Sequence, residues 1–271
     1  MKKTNSSDSV QTQTSPAFRS VKEKNSYYRT QPDRRLYGRT MGRPLRPAQQ
    51  ALVETMLPRL EVFLPTPDGQ AFAATDREKW LDSLFPAHPT AKAAPEIWLE
   101  VGFGGGEHLA WQAKHHPEIG FIGCEPFING VGRLLTQLDQ QGSQNVRIFR
   151  DDARFLVKAL PDQSISRMFL LFPDPWPKKR HWRRRFIQPD TLQDLARILK
   201  PGSELRLASD DMSVLRWMLW QTTQCSAFQW LAKRPCDWEQ RPEDWPQTRY
   251  EAKGIRAGRK PAFLRFIRRD F

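Results

Sequence analysis

The segment that most restricts how this chain can fold is residues 97–111, IWLEVGFGGGEHLAW. An apolar run, Ile97-Trp98-Leu99, ends on Glu100 and Val101; glycines fall at 102, 104, 105 and 106, and Glu107 opens a stretch with helical spacing. That is the pattern of a strand, a tight turn and a helix start. Gly102, Gly104 and Gly106 let the backbone turn sharply and approach a ligand more closely than a Cβ would permit.

Downstream, apolar strand-like runs and helical periods alternate. Strands are expected at Ile97–Val101, Phe121–Glu125, Val146–Arg150, Ser166–Phe172 and Glu204–Ala208. The helices between and after them are Glu107–His115, Ile128–Gln141, Ala153–Leu160, Pro189–Leu199 and Asp211–Gln224, with a Lys200-Pro201-Gly202 stop before the fifth strand. Phe228–Lys233 and Ala262–Arg268 suit two final strands paired antiparallel. Such alternation gives a mainly parallel seven-stranded α/β sheet covered by helices on both faces. Upstream, Ala48–Leu60 has a helical period, prolines at 65 and 67 interrupt the chain after it, and Asp76–Leu84 reads as a short helix with Thr75 as N-cap.

The charge lies at the ends. Residues 1–50 carry 11 Lys/Arg against 3 Asp/Glu and residues 249–271 carry 8 against 2, which leaves 24 against 25 between them. Basic ends on a neutral body point to a polyanionic partner, nucleic acid above all. A hydrophobic fraction of 39% is low for a packed chain. The Ser/Thr/Gln/Lys-rich start, without hydrophobic period, accounts for part of that as a disordered arm over residues 1–45. Overlapping its end, residues 37–47 (YGRTMGRPLRP) form either a linker or a segment that orders on RNA. Cys124, Cys225 and Cys236 have neither disulfide nor zinc spacing, and no secretory signal or membrane-length apolar run is present. These features fit a soluble cytoplasmic protein without a metal site or an obligatory protein partner.

In a parallel sheet the ligand sits beyond the carboxyl ends of the strands. Those ends are acidic here: Glu100, Glu125, Asp152, Asp174 and Asp210 end or follow the first five strands. Asp152 alone would be an ordinary helix cap. Five carboxylates at equivalent positions line a negative crevice, which serves a dinucleotide pyrophosphate poorly. It suits a cationic cofactor, and S-adenosylmethionine carries a sulfonium and an ammonium. The spacing Gly102-x-Gly104-x-Gly106 is likewise not the dinucleotide fingerprint. Glu125, at the next strand end, is placed to accept both ribose hydroxyls, with Asp152 and Ala153 beside the adenine.

The fourth strand end is the most specific feature. Leu170-Leu171-Phe172 runs into Pro173-Asp174-Pro175-Trp176-Pro177 and then KKRHWRRR, residues 178–185. Two prolines fix the backbone around Asp174. Trp176 offers a face for base stacking, and Lys178, Lys179, Arg180, Arg183, Arg184 and Arg185 offer phosphate contacts.

On these residues the chain resembles the bacterial tRNA (guanine-N7-)-methyltransferases over about residues 95–268. The resemblance rests on LEVGFGGGEHL, GCEPF, DDA at 151–153, FPDPWPKKRH, ASD at 208–210 and TRYEAKG from Thr248 to Gly254. It implies a Rossmann-like class I methyltransferase fold, with residues 46–271 as one domain. It implies that Glu100, Glu125, Asp152 and Asp174 contact S-adenosylmethionine, with Asp174 the catalytic residue. Lys178, Asp210 and Thr248, Arg249, Tyr250 and Glu251 would face the guanosine. The implied substrate is the tRNA variable-loop guanosine at position 46, and the products are 7-methylguanosine and S-adenosylhomocysteine. Tyr250 stands where that family usually has Phe.

Guanine N7 has an in-plane lone pair and no proton, so its methylation needs placement rather than a general base. Glu251 is expected to read the guanine N1 and N2 edge or else to form a surface ion pair with Arg249 or Lys253, and His108 to be a surface or capping residue. Three other readings have specific weaknesses. An amino-group methyltransferase needs two adjacent prolines after the acidic tip residue. A nicotinamide oxidoreductase conflicts with the glycine spacing. A non-catalytic RNA-binding protein would have no use for the intact acidic set.

Overall fold

The computed structural model describes residues 37–64, 73–86 and 96–270. Residues 1–36 of the expected arm and the prolines at 65 and 67 lie outside them. The described elements are, in chain order, α1 (Pro47–Thr55), α2 (Leu57–Leu60), α3 (Ala74–Leu84), β1 (Ile97–Val101), α4 (Glu107–His115), β2 (Gly120–Cys124), α5 (Ile128–Gln141), β3 (Val146–Phe149), α6 (Ala153–Ala159) and β4 (Ile165–Leu171). A 3₁₀ helix (Lys179–Arg184) comes next, then α7 (Pro189–Ile198), β5 (Leu199–Ser209), α8 (Met212–Gln224), β6 (Phe228–Trp230), α9 (Cys236–Glu239), α10 (Arg249–Arg256) and β7 (Ala262–Arg268).

The strands form a seven-stranded sheet in the order β3-β2-β1-β4-β5-β7-β6. The pairs from β3 to β5 are parallel, and β7 runs antiparallel to both β5 and β6. Every residue of β1 and β2 is buried, as strands covered on both faces must be. Alternate residues of a strand feed opposite layers. Ile97, Leu99 and Val101 join one apolar cluster with Leu156 of α6, Leu192 of α7 and Val214 of α8. Trp98 points the other way, into a second cluster with Leu109 of α4 and Leu134, Leu135 and Leu138 of α5. Those three leucines are fully buried, each worth about 1.5–3 kcal/mol of transfer free energy. The mainly parallel α/β sheet with helices on both faces is therefore the architecture the alternation required.

Four local expectations fail. Helix α3 starts at Ala74 with Ala73 at the cap position, so Thr75 lies inside the helix and does not cap it. The helical period from Ala48 to Leu60 divides into α1 and α2, with Pro58 in the first turn of α2, where its missing N–H costs nothing. Lys200-Pro201-Gly202 is no stop: β5 begins at Leu199, which pairs with Ile165, and resumes at Glu204 opposite Arg167, so these residues form a bulge with Gly202 at φ 78°. Residues 37–45 are also not an unstructured tail. The Ile128 N–H donates to the Thr40 carbonyl (3.1 Å), the Gly42 N–H to Asn129 Oδ1 (2.9 Å), and Asn129 Nδ2 to the Arg43 carbonyl (2.7 Å). A Gly/Arg/Pro composition carries no trace of these bonds, because the partner that makes them lies some ninety residues away.

Candidate active site

The carboxyl ends of β1, β2 and β4 and the start of α6 open onto one cleft of about 980 Å³. Glu100, Gly102, Gly104, Glu125, Asp152, Ala153 and Asp174 all line it. The acidic crevice read from the strand ends is thus a physical object for four of its five carboxylates. Gly102 and Gly104 have φ of 73° and 57°, the left-handed region that glycine enters without penalty. A Cβ on either would meet nothing within 4 Å, so both turn open space toward the cleft. Gly106 is different. It shares their left-handed backbone (φ 77°) but does not line the cleft, and a Cβ there would come within 2.7 Å of Leu134, so its missing side chain lets α4 pack on α5.

Glu125 is fixed by two backbone donors. Its Oε2 accepts from the Gly104 N–H (2.8 Å) and its Oε1 from the Phe127 N–H (3.0 Å). Burial pushes its pKa up to about 7, the Asp174 and Glu100 charges add to the rise, and the two backbone bonds oppose it. Glu100 is buried and lies 2.7 Å from His108 Nδ1. Gln112 Nε2 donates to the Asp244 carbonyl (2.7 Å) and lies 3.2 Å from His108 Nε2. That contact makes Nε2 an acceptor and leaves the Nδ1 proton donated to Glu100. His108 is therefore no surface or capping residue; the one local signal was its place one turn before Gln112 on the buried face of α4. Asp152 does cap α6, accepting from the Arg154 N–H (3.0 Å), and also pairs with Arg154 Nη1 at 2.7 Å. Cap and cleft wall are one residue.

The tip of β4 is strained. Phe172 and Trp176, at φ 51° and 44°, flank Pro173-Asp174-Pro175, and a bulky residue in that region costs roughly 1–2 kcal/mol. The Phe172 N–H is held by the Ala208 carbonyl at 2.8 Å. Asp174 itself is exposed. Among the described residues no hydrogen bond or ion pair reaches its carboxylate, which faces the cleft.

The basic run after it divides into two groups. Lys178, Lys179, Arg180 and Arg183 are exposed, as phosphate ligands must be. Lys178, expected at the guanosine, does not line the cleft. Arg184 turns inward over the rings of Tyr37 and Trp176, at 4.9 and 4.8 Å, so a face of Trp176 that was expected to take a base is occupied. Arg185 is buried in the cleft wall, and each of its three guanidinium nitrogens donates to Pro175 or Ser213. It is not a phosphate contact. Charge counting treats six cations alike; only the adjoining Phe186-Ile187 pair, leading into the core, set Arg185 apart.

Residues expected at the guanosine also divide. Thr248, Arg249 and Tyr250 line the cleft. Thr248 caps α10, accepting from the Glu251 N–H at 3.2 Å, and Arg249 reaches across to Glu107 at 2.8 Å. Burial and the charges of Asp174 and Asp210 raise the Tyr250 pKa. Glu251 does not face the cleft: it is 4% exposed and lies 3.6 Å from Arg241, a partner neither of its expected roles included. Asp210 is likewise turned away. It accepts from Arg259 Nε at 2.8 Å and packs so close to Gly254 that a Cβ there would fall 2.2 Å from its oxygen. It anchors α10 to the end of β5. The cleft wall also contains Tyr37, Gly38 and Arg39 from the amino-terminal segment. Among the described residues no cluster of His, Cys, Asp and Glu is built to hold a metal ion, and no helix is long and apolar enough to cross a membrane.

A sheet of this order, a glycine turn presenting bare backbone to a cleft, and carboxylates at successive strand ends define a class I methyltransferase. The chain belongs to the family described as putative methyltransferases, whose model matches residues 94–264. Curated relatives named tRNA (guanine-N(7)-)-methyltransferase align over most of its length. That of Rhodospirillum rubrum is 51% identical, covering 88% of this chain and 89% of its own. That of Ruegeria pomeroyi is 47% identical over 88% and 95%. Among solved structures, the 16S rRNA methyltransferase KamB is 15% identical with a TM-score of 0.49, covering 73% of this chain and 95% of that one.

Proposed function

We propose that this protein transfers the methyl group of S-adenosylmethionine to N7 of a guanosine in tRNA, the variable-loop guanosine at position 46, working in the cytoplasm as one methyltransferase domain over residues 46–271. The observation that carries this reading is the meeting of four carboxylates and a bare glycine turn in one cleft beside an exposed basic helix. The cleft fits the cofactor on charge and on space: carboxylates suit a sulfonium and an ammonium, and the volume in front of Gly102 and Gly104 is unfilled. When bound, the cofactor supplies an electrophilic methyl group.

The chain's own residues do the rest. Glu125, already aligned by two backbone donors, holds the ribose hydroxyls with its remaining lone pairs. Asp152 and Ala153 border the adenine. Lys178, Lys179, Arg180 and Arg183 hold tRNA phosphates and offset the repulsion of the strand-end carboxylates for a polyanion. Thr248, Arg249 and Tyr250 border the guanosine. Methylation at N7 leaves a cationic ring, so a carboxylate beside it favours the transition state over the substrate. Asp174, with no partner of its own among the described residues and held at a strained tip, is the group for this role.

The test incubates the protein with unmodified tRNA and methyl-labelled S-adenosylmethionine, then digests the RNA and identifies the labelled nucleoside. Label in 7-methylguanosine from the variable loop is expected; label elsewhere keeps the methyltransferase and overturns the site. For Asp174, the Asp174→Asn variant should lose about 2.7–4 kcal/mol of transition-state stabilisation, a rate loss of about 10²–10³. A single-turnover rate equal to wild type would remove Asp174 from the chemistry.

A further inference from the structure

We propose that Arg185 is a positioning residue for methyl transfer: it holds the Pro-Asp-Pro tip in the conformation that presents Asp174 to the cleft. This rests on Asp174 acting at the reacting guanine as proposed. The geometry assembles in three parts.

The first is what Arg185 bonds. Its Nε and Nη2 both donate to the Pro175 carbonyl, at 3.2 and 3.0 Å, and Pro175 comes directly after Asp174. Its Nη1 donates to the Ser213 carbonyl (3.1 Å) and its Nη2 to Ser213 Oγ (2.6 Å). Ser213 sits in the first turn of α8, where its own N–H is held by the cap residue Asp211 at 2.9 Å. One guanidinium thus ties the β4 tip to the helix that succeeds β5.

The second is what surrounds it. The guanidinium carbon lies 5.0 Å from the centre of the Trp182 ring and 5.4 Å from that of Trp217. Trp217 is fixed in turn by its Nε1 donating to the Ile187 carbonyl at 2.7 Å. Arg185 is 4% exposed, so water does not compete for its donors. A lysine carries the charge but not the planar fork that reaches two acceptors while lying against indole rings.

The third is why the tip needs holding. Phe172 and Trp176 both sit at positive φ, a conformation that persists only where the surroundings over-determine it. Pro173 and Pro175 have no N–H to contribute. Upstream, the Phe172 N–H is anchored to Ala208. Downstream, the Pro175 carbonyl is anchored by Arg185. Without that second anchor Asp174 swings with its loop, while the exposed Lys178, Lys179, Arg180 and Arg183 remain able to bind RNA.

The experiment compares wild type with Arg185→Lys and Ser213→Ala, the latter removing one bond with little disturbance of packing, and with Arg180→Ala as the phosphate-contact reference. Three quantities are read: tRNA Kd by filter binding, the single-turnover methylation rate at saturating tRNA, and hydrogen exchange in the peptide spanning residues 172–178. For Arg185→Lys we expect a rate loss of about tenfold or more, a smaller loss in Ser213→Ala, faster exchange confined to residues 172–178, and tRNA Kd within about twofold of wild type. Arg180→Ala should instead weaken Kd without changing exchange at residues 172–178. A weakened, salt-steepened Kd with an unchanged rate in Arg185→Lys would return Arg185 to the phosphate contacts. Unchanged exchange at 172–178 would overturn the anchor. If wild type itself failed to methylate tRNA, the functional reading would fall, and the exchange data alone would still decide whether Arg185 holds the tip.

Discussion

Glu125 illustrates how a single side chain couples this cleft to pH. Its pKa rises from 4.5 to about 7 through burial first, with the Asp174 and Glu100 charges adding to the rise. A raised carboxyl keeps its proton in the folded protein over a window in which the unfolded chain has lost it. Stability of the ligand-free protein therefore falls as pH rises from about 4.5 through about 7, by at most about 3–4 kcal/mol from this group. A ligand that donates hydroxyls to Glu125 and brings positive charge favours the ionised form. Cofactor affinity should accordingly rise with pH up to about 7 and level off above it, and binding below that pH should release protons. Calorimetry in two buffers of different ionisation enthalpy measures that release, and Glu125→Gln should abolish it; proton release that persists in the variant would assign it to another group. Glu125, Asp152 and Asp174 were legible in the sequence because a strand end is a local feature. Arg185, Glu251 and His108 were not, since what decides their roles is a partner brought to them by the fold: Ser213, Arg241 and Glu100.

At the scale of elements, α5 is packed against the glycine turn with no room to spare. A Cβ on Gly130 would fall 2.1 Å from the Gly104 carbonyl oxygen, which is backbone and cannot step aside. Gly130→Ala should push the turn or the helix out of place, costing about 1–3 kcal/mol of stability. It should also weaken cofactor binding, because the Gly104 N–H that holds Glu125 moves with the turn. Denaturant unfolding and cofactor titration measure the two effects; full affinity in a destabilised variant would show that the turn keeps its shape without α5. The strands and large helices were readable because their apolar periods are strong. Helix α10 escaped because its buried positions are Glu251 and Gly254, so it has no apolar stripe to betray it. The 3₁₀ helix escaped for a related reason: none of its residues is buried, and it looks like a basic loop.

For the whole molecule, carboxylates gather at the strand ends inside the cleft while exposed cations lie on the surface beside it, and the two act at different ranges. Long-range attraction for a polyanion depends on the exposed cations and on salt; contacts within the cleft are screened far less. Replacing Lys179, Arg180 and Arg183 together by alanine should flatten the dependence of log Kd on log salt by roughly two to three in slope, with cofactor affinity kept. A slope unchanged from wild type would place the tRNA track elsewhere on the surface. The sheet order has a further consequence, for the timing of synthesis. Strand β7 comes last in the sequence yet lies between β5 and β6, pairing with both. Until residues 262–268 have emerged from the ribosome, β5 has an open edge, β6 has no neighbour, and the places filled by Phe263, Leu264 and Phe266 are bare. A nascent chain of this protein therefore cannot close its sheet before those residues are free. A chain cut short before β7 would carry an open, apolar edge ready to pair with its neighbours.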